Sequence, residues 1–76
     1  MKTTTQHGQL MDDDGLVEKA MLLDARYCRD HGLVFQQPAK PLCGVEGGIV
    51  TLKNMRGVTA RYRATGSPRR PLIRAS

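Results

Sequence analysis

Residues 48–63 read GIVTLKNMRGVTARYR, and the reading of this stretch decides the fold. Ile49–Lys53 and Val58–Arg63 are rich in β-branched and aromatic side chains, which pack well on a pleated surface. The connection between them, Asn54-Met55-Arg56-Gly57, ends in the residue that most readily takes a positive φ. The spacing predicts a β-hairpin closed by a type I turn and a glycine bulge. Leu52 then faces Ala60, and Val50 faces Tyr62. Side chains alternate along a strand, so Val50, Leu52, Ala60 and Tyr62 share one face. Ile49, Thr51, Lys53, Thr59, Arg61 and Arg63 share the other. The first face is apolar and the second basic.

An apolar hairpin face needs a cover, and the residues upstream supply one. Asp12-Asp13-Asp14 presents short acidic side chains that cap free N–H groups and suit the positive end of a helix. A helix is predicted from about Asp14 to His31, with Gly32 as its left-handed stop. At 100° per residue, Leu16, Val17, Ala20, Met21, Leu23, Tyr27 and Cys28 form an apolar stripe, with Asp24 at its edge. Glu18, Lys19, Arg26, Arg29 and Asp30 lie opposite, and Leu22 stands among them. Leu33-Val34-Phe35 is open to two readings, a brief third strand or a plug over the core. Gln36–Pro41 is a linker, because its prolines block helix and central strand. Residues 41–48 read as a tight loop into the hairpin.

The fold expected is therefore α+β, with one N-terminal amphipathic helix packed on a C-terminal antiparallel hairpin. Residues 1–11 are polar and aperiodic and read as a flexible tail. Residues 12–64 form a single small domain. Residues 65–76, TGSPRRPLIRAS, read as a flexible basic arm. A chain of 76 residues has room for one small core. Open hairpin edges make a homodimer an expectation. The first residues lack an apolar signal core and no long apolar run occurs after them, so a cytoplasmic protein with free thiols and no membrane contact is expected.

Charge divides the chain. Residues 1–47 hold five basic and seven acidic residues, whereas residues 48–76 hold seven basic and no acidic ones. That bias points the C-terminal half toward a polyanion or an acidic protein surface. Lys53, Arg56, Arg61, Arg63, Arg69, Arg70 and Arg74 are the candidate contacts, with Thr51 and Thr59 as hydrogen-bond donors between them. Lys and Arg neutralise phosphates, and hydroxyls bond to backbone oxygens. No aromatic residue stands on the basic face to stack single-stranded bases.

Catalytic chemistry is less well supported. Asp24, Cys28 and His31 fall on one helix face, yet cysteine catalysis also needs a lowered thiol pKa and an oxyanion site. The alternative is a small core cysteine, a histidine favoured by the helix C-terminus and a carboxylate partnered by arginine. Cys28 and His31 have ligand spacing for zinc, but Cys43 stands alone and His7 lies in the tail, short of two compact ligand pairs. Asp12-Asp13-Asp14-Gly15 lacks the alternation of a calcium loop. GVEGG at 44–48 lacks the Lys-Ser/Thr of a phosphate-binding loop. No cofactor, metal or enzymatic activity is expected. The sequence favours a small nucleic-acid-binding or regulatory accessory protein that uses the basic hairpin face. The alternative is a protein-interaction module that modulates a larger acidic partner through the same face or an open strand edge.

Overall fold

The computed structural model describes residues 12–75, and the expected tail at 1–11 lies outside them. Helix α1 spans Asp13–Asp30. Asp12 caps it in extended backbone, and its Oδ1 accepts the Gly15 N–H at 2.7 Å. Asp13 and Asp14 occupy the first turn, where the helix dipole favours them. The other end closes as a Schellman motif. Leu33 N–H donates to the Cys28 carbonyl and Gly32 N–H to that of Arg29, with Gly32 at φ 68°.

The expected hairpin forms the centre of a larger sheet. Strands β1 (Gly44–Glu46), β2 (Ile49–Asn54), β3 (Gly57–Ala64) and β4 (Leu72–Arg74) make an antiparallel meander in the order β1-β2-β3-β4. Val50 pairs with Tyr62 and Leu52 with Ala60, as the alternation requires. Lys53 then pairs with Val58, so Thr59 is the extra residue of a bulge in β3. The Thr59 hydroxyl donates to the Leu52 carbonyl at 3.2 Å, and Gly57 has φ 127°. Asn54 Oδ1 accepts the Arg56 N–H at 2.8 Å and holds the turn.

Three segments differ from expectation. Residues 44–46, read as loop, are β1, joined to β2 by Gly47 and Gly48 with φ 57° and 78°. Two successive positive φ values fit the type I′ turn, whose twist matches that of the strands. Residues 72–74, read as part of a flexible arm, are β4 on the far side of β3, with Leu72 buried in the core. Leu33-Val34-Phe35 forms no strand, and of the three only Phe35 is half-buried while Leu33 and Val34 are exposed. Pro38 is buried, and the Ala39 N–H donates to the Lys53 carbonyl at 2.9 Å.

The core lies between α1 and the inner sheet face. Val17 and Ala20 meet Val50, Leu52, Ala60, Tyr62 and Leu72. Val50 and Leu52 are wholly enclosed. Because α1 takes the inner face, Lys53, Arg61 and Arg63 on the other face are exposed. Leu22 is 70% exposed and contributes little. Replacing Leu52 by alanine is expected to cost about 3 kcal/mol in urea unfolding, the loss of a wholly buried side chain plus its cavity. Leu22→Ala is expected to stay within about 0.5 kcal/mol of the parent.

Candidate functional site

Register places the outward side chains. Residues directly opposite in an antiparallel ladder share a face, so Glu46, Ile49, Arg63 and Ile73 form one row across four strands. Gly44, Thr51 and Arg61 form the next. Arg61 and Arg63 project from β3 about 7 Å apart along the strand. Lys53 lies near the end of β2 and Arg56 in the turn beyond it. All four cations are exposed, and Thr51 and Thr59 are half-buried between them. Among the described residues none of the four enters an ion pair. The meander adds one element that the charge count concealed, because Glu46 brings an acid to the β1 edge of this face.

The remaining expected contacts lie elsewhere. Arg69 and Arg70 are exposed in the loop between β3 and β4. That loop is pinned by its own bonds. The Thr65 N–H donates to the Pro71 carbonyl, the Thr65 hydroxyl donates to the Arg70 carbonyl, and Thr65 Oγ1 accepts the Ser67 N–H. Arg70 lines a groove on the helix side of the sheet. Arg74 is drawn inward, since it pairs in register with the buried Tyr62.

That inward turn completes a buried polar cluster. Asp24 is 2% exposed, in the middle of the helix face formed with Val17, Ala20 and Cys28. Arg74 Nη1 donates to Asp24 Oδ1 at 2.7 Å and to the Tyr62 hydroxyl at 3.3 Å, and Tyr62 donates to the same Asp24 oxygen at 3.1 Å. The guanidinium lies 4.1 Å above the Tyr27 ring, which stacks on His31 at 4.1 Å. Burial opposes the Arg74 charge, but hydrogen bonds to Tyr62 and Asp24 outweigh it and the pKa rises. Burial, with Asp24 beside it, also raises the Tyr62 phenol against the opposing effect of Arg74.

The Asp24, Cys28 and His31 set is therefore not arranged for thiolate chemistry. Burial first, and then the Asp24 charge, raise the Cys28 pKa, with Arg74 opposing, and this favours the protonated thiol. Asp24 is occupied by Arg74 and Tyr62. His31 Nδ1 lies 2.9 Å from the Tyr27 carbonyl. Cys43 is half-buried and engaged with backbone, its Sγ accepting the Lys53 N–H at 3.3 Å and donating to the Ala39 carbonyl at 3.4 Å. Among the described residues no three His, Cys, Asp or Glu side chains converge as metal ligands, and His7 lies outside them. Also among the described residues, no helix is long and apolar enough to cross a membrane.

Two predictions test the buried cluster. Asp24→Ala strands a partly buried guanidinium without its carboxylate and is expected to cost about 3 kcal/mol in urea unfolding. Stability is also expected to fall at alkaline pH. Cys28 and Tyr62 have folded pKa values above their ordinary ones, so their contributions are complete below those ordinary values and are lost as pH rises through the folded ones. Unfolding followed from about pH 7 to 11 should show a decline beginning near pH 9. Cys28→Ala should remove its early part and Tyr62→Phe its later part.

No family model matches this chain, and neither does a curated protein or a solved structure.

Proposed function

We propose that this protein is a small cytoplasmic nucleic-acid-binding protein whose contact surface is the outward face of the sheet. One observation carries the reading. Lys53, Arg56, Arg61 and Arg63 are exposed on that face and its turn with no ion-pair partner among the described residues. Cations that form no ion pair are available to displace counterions from phosphates, which supplies most of non-specific affinity. Thr51, half-buried beside Arg61, offers a hydroxyl to the same backbone.

The outline of the sheet suggests how the face is used. β1 pairs with β2 only as far as Thr51, and β4 pairs with β3 only from Tyr62 onward. The β2–β3 turn extends beyond the β1 and β4 pairings, backed on its β2 edge by residues 37–43, and offers Arg56 at its end to a groove. Arg61 and Arg63 lie on the broader part, where phosphates flanking the groove would sit. Such contacts position a duplex without reading its sequence.

A second reading rests on a different feature of the same face. Ile49 and Ile73 flank Arg63 and are half-buried, forming an apolar row across the basic surface. Such a row suits an acidic protein partner better than phosphate. Recovery of one stoichiometric protein after nuclease treatment, lost on Ile49→Asp, would favour that reading.

Binding to a short labelled duplex, measured by fluorescence anisotropy from about 50 to 200 mM salt, tests the main proposal. Four phosphate contacts are expected to give a log–log salt slope of about −3.6 on B-form DNA. Arg61→Glu combined with Arg63→Glu should weaken binding at least about tenfold and make the slope shallower by about 2. Binding indifferent to that double substitution would rule the face out.

A further inference from the structure

On the helix side of the sheet, the C-terminal half of α1 and the edge strand β4 enclose an open groove of about 480 Å³. Its walls combine the apolar side chains of Leu23 and Leu72 with Arg26, Arg70 and Arg74. The only acid among its lining residues, Asp30, is paired with Arg29 at 3.6 Å. The groove is therefore a cationic pocket with an apolar floor, of a size that takes a small organic molecule.

Arg74 gives the groove a defined polar contact. Its Nη1 is occupied by Asp24 and by the Tyr62 hydroxyl, and Tyr27 supports the plane of the guanidinium from below. Among the described residues, Nε and Nη2 have no hydrogen-bond partner, and the side chain is 28% exposed. These two nitrogens form the side-on edge of the guanidinium fork, which matches two oxygens of a carboxylate or phosphate. The fork is held in place before any ligand arrives, so little side-chain entropy is lost on binding. Arg26 and Arg70, with no ion-pair partner among the described residues, add two further positive charges. Asp24 offsets the Arg74 charge, so Arg26 and Arg70 supply the groove's excess of two positive charges, which suits a dianionic phosphate better than a carboxylate.

We infer that this groove binds an organic phosphate monoester of about mononucleotide size, its phosphate on the Nε–Nη2 edge of Arg74 between Arg26 and Arg70. The organic part lies against Leu23 and Leu72. This site is separate from the outward basic face, and its occupancy does not depend on that face binding nucleic acid.

The test is a titration of the full chain with adenosine 5′-monophosphate, monitored by amide chemical shifts and by calorimetry. Arg26→Gln combined with Arg70→Gln alters only groove-lining residues outside the core, and circular dichroism verifies its fold. Expected are saturable binding, shifts concentrated at Tyr27–His31 and Leu72–Arg74, and a loss of at least about tenfold in the double variant. Arg61→Glu combined with Arg63→Glu should leave this binding unchanged. Adenosine binding as tightly as the monophosphate would overturn phosphate recognition. Inorganic phosphate binding as tightly would overturn the role of the apolar floor. Shifts confined to Lys53, Arg61 and Arg63, or no saturation at millimolar ligand, would overturn the site.

Discussion

The contact between Asp24 and Arg74 constrains the rest of the molecule. An 18-residue helix that buries one face against a sheet has placed a carboxylate in the middle of that face. Left alone, such a group would oppose folding by more than a small core can offset. Its partner comes from 50 residues away, on a three-residue strand near the C-terminal end of the chain. Tyr62, from the central hairpin, donates to the same oxygen and accepts from the same guanidinium nitrogen. Helix, hairpin and edge strand are thus joined by a polar cluster whose parts each need the others.

This constraint sorts the arginines. Arg74 is held inward by Asp24, and Arg70 faces the groove beside it. Arg61 and Arg63 fall outward because alternation from the buried Ala60 and Tyr62 leaves them no other side. A C-terminal half that is uniformly basic in sequence becomes two positive surfaces, separated by the sheet and different in character. The outward face offers several separate cations around a short apolar row. The groove offers one immobilised fork with two cations nearby.

The central hairpin was legible because several local signals agreed. Alternation, β-branched residues and a glycine at the turn all favoured one register, and the pairing of Val50 with Tyr62 results from them. Helix α1 was equally legible from its acidic start, its periodicity and Gly32. The signal for β1 was present and weaker. Gly47-Gly48 between Val45-Glu46 and Ile49-Val50 is a two-residue hairpin turn, masked by the brevity of the first strand. β4 was hidden by composition, since Arg69-Arg70-Pro71 resembles a solvated arm, and only the burial of Leu72 in the core fixes Ile73 and Arg74 as a strand.

By itself the sequence determined the helix, the hairpin register and the exposure of Arg61 and Arg63, because each arises from local periodicity and turn chemistry. Tertiary structure decided that Asp24 is a core residue rather than an edge carboxylate, and that Arg74 is its partner rather than a free contact. It also decided that Glu46 joins the basic face. The physical reason is common to all three. The environment of a charged side chain depends on which distant backbone lies beside it, and no local pattern records that distance.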